Sequence, residues 1–307
     1  PNVKLPDNVA FNFESTIPKF KRNGISLERL LSLVGNLDKR ELMKAIAERA
    51  SKDRLFYENW FQLFKFISEL LEHLDIRYVF IKVLTYPGAL MSDIDILIES
   101  PEEELKALDA LNNVDFDFFQ PRLFANRLGV FALKNTANNS IPISVDLYPE
   151  LVWRPVWIRK KVCDKRVIIN RKRISRIRDA QAFFPSPEDD LYMLATHAYS
   201  HYRVTLAEIL HGLTLASSKD FDWEYLFNLT HSYGTLDAVY FYLRTLKTYS
   251  DVFHGGVLFP REALDIYKNR RICKIIERWF EKVRLEKPMF PLVVPIQLAY
   301  VYPLLYH

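Results

Sequence analysis

Two cysteines and eight glycines are few for a chain of 307 residues. Cys163 and Cys273 are too few for a disulfide framework and lack metal-ligand spacing, so a reducing cytosol is the expected compartment. No secretory signal opens the chain, which starts at Pro1 without an initiator Met, as a trimmed end would. No internal repeat and no low-complexity tract interrupts it. One charge-free run, 288–306, is just long enough to span a bilayer. Pro291, Pro295 and Pro303 break it and Gln297 sits near its middle, so it reads as an aromatic-rich terminal segment docked on the body, without a membrane role. With 49% hydrophobic residues the chain can bury a real core, divided into two or three units.

Charge is unevenly spread. Of a net +4, the segment 159–179 contributes +8 from ten basic residues (Arg159, Lys160, Lys161, Lys165, Arg166, Arg171, Lys172, Arg173, Arg176, Arg178) and two acids, leaving −4 for the rest. A patch this dense attracts polyphosphate or nucleic acid. The alternative is a solvated hairpin or loop, because the run lacks the aromatic residues that single-strand binders interleave with their cations.

Periodicity divides the chain into three. Residues 1–24 carry Pro1, Pro6 and Pro18 and look irregular; helices are predicted at 26–34, 38–50 and 54–74, the last strongly amphipathic. An αβ core follows, with strands at 78–83, 93–98, 115–119, 130–134 and 143–147 and a helix at 101–111 opened by a Pro. The last part is helical, at 187–202, 205–217, 223–232, 235–249 and 261–284, with Ser186-Pro187-Glu188-Asp189 as its start signal. The expected class is α+β (or α/β): an N-terminal helical extension over 1–75, a small mixed-sheet core over 76–182, and an all-α domain over 183–307.

The core holds the chemistry. In Ser92-Asp93-Ile94-Asp95-Ile96-Leu97-Ile98 the two acids are two residues apart on a strand, so they share a face while the isoleucines take the buried one. Two like charges on one face call for a cation between them, and hard oxygen ligands suit Mg²⁺ and the phosphates it carries. Ile143-Ser144-Val145-Asp146-Leu147 is a second apolar strand with one acid. Asp93, Asp95 and Asp146 are thus candidate ligands of a phosphoryl-transfer centre, expected at the mouth of a cleft between the sheet and the C-terminal helices. Asp115-Phe116-Asp117 and Asp220-Phe221-Asp222 repeat the spacing, but the first reads as a strand edge facing water and the second as a helix cap.

Tyr78-Val79-Phe80-Ile81-Lys82, the Tyr86-Pro87 turn, the Ser92–Ile98 strand and Val145-Asp146-Leu147-Tyr148 together resemble the polymerase-β-like nucleotidyltransferase superfamily. More narrowly they are similar to uncharacterised bacterial and archaeal nucleotidyltransferases, whose helical domain opens with a Pro-Glu-Asp cap and carries paired histidines, as Pro187-Glu188-Asp189 and His197-Ala198-Tyr199-Ser200-His201 do. The resemblance covers roughly 76–249. It implies a nucleotidyltransferase core in which Asp93 and Asp95 hold Mg²⁺ or Mn²⁺ and Asp146 is a third ligand or the base that deprotonates the acceptor hydroxyl. It also implies NTP contacts from Lys82, Thr85, Gly88 and Ser92. The family places Gly-Gly or Gly-Ser after the first strand, so that backbone amides approach the triphosphate. Here Val83-Leu84-Thr85 stand there instead, and Leu90-Met91 stand where relatives often have an arginine.

Two further sites stay open. Lys82 either reaches a phosphate as a point charge or snorkels at the sheet edge. His197 and His201, a turn apart and on a face with Asp190, have the spacing of a zinc clamp but no Glu beside the first His and no evident third ligand, which favours a structural or nucleotide-facing role. The leading expectation is a cytoplasmic, metal-dependent transfer of a nucleoside monophosphate from an NTP to a hydroxyl on RNA, protein or a small molecule, RNA or protein being met through 159–179. The alternatives are a catalytically degenerate nucleotide- or nucleic-acid-binding module and the toxin of a defence pair.

Overall fold

The computed structural model describes residues 40–84, 91, 93–114, 116–118, 131–135, 143–153, 160–200, 203–256, 259–267, 271, 273, 274, 276, 292 and 293. Helix α1 (Arg40–His73) leads into strands β1 (Tyr78–Ile81) and β2 (Asp93–Ile98), helix α2 (Pro101–Asn112), and strands β3 (Phe116–Phe118), β4 (Phe131–Asn135) and β5 (Ser144–Tyr148). Then come β6 (Val152–Trp153), β7 (Lys160–Lys161), helix α3 (Lys165–Asn170) and a hairpin of β8 (Arg173–Ile177) and β9 (Ala180–Phe184). The last part holds α4 (Pro187–Ser200), β10 (Arg203–Val204), α5 (Leu206–Ala216), α6 (Trp223–Ser232), α7 (Leu236–His254), a 3₁₀ helix (Arg261–Tyr267) and β11 (Leu292–Val293).

Five strands form a mixed sheet in the order β1-β2-β5-β4-β3, so the class is α+β. β1 runs antiparallel to β2, β2 parallel to β5, and β5 antiparallel to β4. Alternation along β2 sends Ile94, Ile96 and Ile98 to one face, where they join a core with Tyr78, Phe80, Val145 and Leu147. That face is covered by α1, through Trp60, Phe64, Ile67 and Leu71 at helical spacing, and by α2 through Ala107, Leu108 and Leu111. Phe64 stacks 5.2 Å from Trp60 and 4.5 Å from Phe80 between ring centres. Truncating so enclosed a ring to Ala costs about 3–5 kcal/mol. The opposite face presents Val79, Ile81, Leu97 and Tyr148 to a second core built by α4, α5, α6 and α7.

Several elements differ from the expectation. The helices predicted at 38–50 and 54–74 are one helix, because Ser51-Lys52-Asp53 contains neither Gly nor Pro to stop it. The boundary predicted at 75 separates this helix from the sheet it covers. The basic segment is neither one loop nor a free hairpin: it forms β7, α3 and β8, the last paired with β9. Where a helix is predicted over 261–284, Arg261–Tyr267 form a 3₁₀ helix and the described residues 271, 273, 274 and 276 are α-helical. Of the charge-free C-terminal run, Leu292–Val293 pairs antiparallel with β10. The helix predicted at 26–34 lies outside the described residues. Ser186 caps α4 as its sequence signals, receiving the amide of Asp189 at 3.3 Å, and Asp222 caps α6 by receiving that of Tyr225 at 2.8 Å. Cys163 and Cys273 are buried and form no disulfide, and no described helix is long and apolar enough to cross a membrane.

Candidate metal centre

Parallel pairing of β2 with β5 sets Asp95 directly beside Asp146 and Asp93 beside Ser144. Paired residues on adjacent strands project to the same side, so Asp93, Asp95 and Asp146 gather on the face that the C-terminal helices cover. Each offers a carboxylate oxygen within 4.8 Å of the others. Among the described residues no other group of three His, Cys, Asp or Glu side chains comes together in this way. The start of β2 is fixed from the other face, where the indole Nε1 of Trp60 donates to the carbonyl of Asp93 at 3.1 Å.

Lys82 enters the cluster by an unusual route. It follows β1 with φ of 57°, a left-handed conformation that costs a non-glycine residue about 1 kcal/mol or more. From there its ammonium forms an ion pair with Asp95 and donates to the Tyr148 hydroxyl at 2.9 Å, 4.9 Å from the ring centre. The side chain is only 12% exposed. Lys82 therefore neither lies along the sheet edge nor projects outward, but faces an acid of its own chain.

The electrostatics follow from crowding. Burial pushes Asp95 up to about 7; Asp93 and Asp146 add to the shift and Lys82 opposes it. Burial, with Asp93 beside it, pushes Asp146 up to about 6, again against Lys82. For Lys82 burial acts downward, but Asp95, Tyr148 and Asp93 outweigh it and hold the amine protonated. Burial raises the Tyr148 phenol well above its ordinary range, so it stays neutral beside the amine. Three carboxylates against one ammonium leave a deficit of positive charge, which a divalent cation would fill with hard oxygen ligands.

Thr85, Gly88 and Ser92, expected to contact phosphate, lie outside the described residues, as does His201. The zinc clamp does not form among the described residues. Asp190 pairs instead with His211, at 3.0 Å and with both side chains buried, while Nδ1 of His197 approaches Glu208 at 3.8 Å. No protein-family model and no curated protein matches the chain.

Three cations of the basic segment pair with acids from elsewhere in the chain. Lys165 bonds Glu104 at 2.9 Å, Arg171 bonds Glu188 at 3.0 Å, and Arg178 bonds Glu58 at 2.7 Å. Arg173 donates to the carbonyl of Pro185 at 3.0 Å, and Lys172 lies 3.6 Å from the ring centre of Phe183. Its middle also sits at the wrong end of the sheet to wall the carboxylates. Lys172 is 6.0 Å from the ring centre of Tyr78, at the start of β1, and Arg77 bonds Asn170 at 3.3 Å. The carboxylates collect at the other end, past Ile81. Arg171 and Lys172 thus stand away from the carboxylates, and a charge count along the chain does not reveal acids supplied by distant helices.

Tyr148, Trp60 and Glu208 carry weight that no sequence motif assigned to them. Only Tyr148 left a signal, standing two residues past Asp146 on the same face of β5.

Proposed function

We propose that the chain is a cytosolic, metal-dependent nucleotidyltransferase, its five-stranded sheet being the catalytic core, which moves a nucleoside monophosphate from an NTP to a hydroxyl on RNA, protein or a small molecule. One observation carries this reading: three carboxylates from adjacent strands with ligand atoms within 4.8 Å of one another, two of them titrating well above the ordinary carboxylate range.

Asp93, Asp95 and Asp146 would hold Mg²⁺ or Mn²⁺; the fit rests on their oxygen donors and on the charge left over after Lys82. When bound, the cation neutralises charge on the phosphoryl oxygens during transfer. Lys82 pulls Asp95 toward its ionised form and orients it, and Tyr148 fixes the lysine. Asp146 serves either as the third ligand or as the base that accepts the proton of the attacking hydroxyl. The bond from that oxygen to the α-phosphorus forms as the α–β bridging bond breaks, and pyrophosphate leaves with the bonding electrons.

A second reading is a binding module without transfer activity. The Lys82–Asp95 ion pair favours it, since one ligand carboxylate is already compensated, and so does Val83-Leu84 where relatives have glycine. The test is transfer from α-labelled NTPs with Mg²⁺ to RNA, protein and small hydroxyl acceptors, for wild type and Asp93→Ala/Asp95→Ala. Label transfer lost in the double variant supports the enzyme. Mg²⁺-dependent binding without transfer supports the module, and absence of both overturns the two readings together.

A further inference from the structure

The helical cover brings one more charged pair toward the Lys82 end of the sheet. Helix α4 lies on the carboxylate-bearing face, since Leu191, Leu194, Ala195 and Ala198 share a core with Val79, Ile81, Leu97 and Tyr148. Its first turn is anchored at the Tyr78 end, where Arg171 holds Glu188 and Asp189 next to the Asn170–Arg77 bond. Rising about 1.5 Å per residue, the helix carries His197 roughly 12 Å onward from Asp189. His197 thus lies on the part of α4 that leads away from the anchored turn.

One contact ties the Lys82 end to the next helix. Leu84, two residues past Lys82, packs against Ala207 at the start of α5. Glu208 belongs to that turn. Its carboxylate receives the Thr205 amide at 2.6 Å, completing a capping box, and lies 3.8 Å from His197. Burial alone would raise Glu208, but His197 and the Thr205 amide lower it, so it is ionised and favours an imidazolium beside it. The His197 side chain is 24% exposed, accessible without being fully solvated.

A triphosphate arriving here needs cations. Lys82 is committed to Asp95, and Val83-Leu84 occupy the place where relatives offer glycine amides. We propose that His197, held by Glu208, is a phosphate-binding residue of this site, its imidazolium donating a hydrogen bond to the triphosphate of the incoming NTP. This rests on the nucleotidyltransferase reading and assigns the helical domain a direct part in it.

The test is calorimetric binding of each Mg²⁺-loaded NTP (ATP, GTP, CTP, UTP), of the matching nucleosides, and of Mn²⁺ alone. His197→Gln should weaken the preferred NTP about tenfold, the value of one charge-assisted hydrogen bond, and leave nucleoside and Mn²⁺ affinities unchanged. His197→Lys, which keeps a cation, should recover part of the loss. Glu208→Gln keeps the capping box but removes the charge, and should weaken the NTP about threefold; it carries the test should His197→Gln not fold. NTP affinity unchanged in His197→Gln overturns the inference and leaves the proposed function standing. Equal weakening of NTP and Mn²⁺ makes His197 a structural residue and also overturns it. Wild type that binds Mn²⁺ but no NTP overturns both.

Discussion

Buried acids occur at both ends of the central sheet, in opposite states of compensation. At the Tyr78 end, Glu188 and Asp189 meet a complete set of donors. Arg171 bonds Glu188 at 3.0 Å and reaches Asp189 at 3.4 Å while stacking 3.7 Å from the Tyr225 ring centre. Tyr225 and Ser186 hydroxyls donate to Asp189 at 2.7 and 2.8 Å, and the Asp222 amide donates to Glu188 at 3.0 Å. Burial pushes Asp189 up to about 6, with Glu188 adding to the push and Tyr225, Ser186 and Arg171 pulling the other way. At the Lys82 end, Asp93, Asp95 and Asp146 crowd one another, and carboxylates add to the upward push. Burial is common to both groups and marks neither as a site. What separates them is the balance of partners: several donors meet Glu188 and Asp189, whereas a single ammonium faces three carboxylates at the Lys82 end.

The comparison breaks first if the Tyr78 end is not structural. Arg171→Ala leaves two buried acids short of a cation and should cost on the order of 2 kcal/mol in urea unfolding. That is below the 3–5 kcal/mol of a fully buried pair, because Arg171 is 38% exposed. Mn²⁺ affinity should not change in this variant. At the Lys82 end the sign reverses. Asp146→Asn removes a charge that burial and Asp93 disfavour, so the metal-free protein at pH 8 should gain about 1–2 kcal/mol in the same measurement. The variant should also lose any rise in Tm that Mn²⁺ gives wild type.

A pH series sharpens the same contrast. Folded Asp95 and Asp146 hold protons that the unfolded chain releases near pH 4, so metal-free stability from this cluster is present below about pH 4. It is lost as pH rises through about 6 to 7. Metal binding has the opposite slope, because protons compete for the same oxygens. Mn²⁺ affinity should rise about tenfold or more between pH 5.5 and 8 and then level off, as titration calorimetry would show. The smallest effect is expected in the basic segment. Arg166→Gln/Arg176→Gln changes two exposed side chains and should shift stability by no more than about 0.5 kcal/mol and Mn²⁺ affinity not at all.

How much of this was legible in the sequence depends on the range of the interaction. Asp93 and Asp95 could be placed on one face because strand periodicity is local, and the caps at Ser186 and Asp222 were legible for the same reason. The register that sets Asp95 beside Asp146 joins strands about fifty residues apart, and only the apolar frame around Asp146 hinted at it. The partner of Lys82 was hidden by a left-handed backbone that no β-strand pattern anticipates. Pro187-Glu188-Asp189 announces a helix start, but its acids are buried and bound to Arg171, which is decided by tertiary packing. The basic segment was visible as charge, whereas Glu58, Glu104 and Glu188, which take up much of it, come from three separate helices.

The central claim is that Asp93, Asp95 and Asp146 form a divalent-cation site. Its most direct test is Mn²⁺ titration at pH 8 followed by electron paramagnetic resonance, on wild type, Asp146→Asn and Arg171→Ala. The account predicts bound Mn²⁺ in wild type and Arg171→Ala and its loss in Asp146→Asn, with the variants folded by circular dichroism. Wild type that binds no Mn²⁺, or Asp146→Asn that binds it as tightly as wild type, would contradict it.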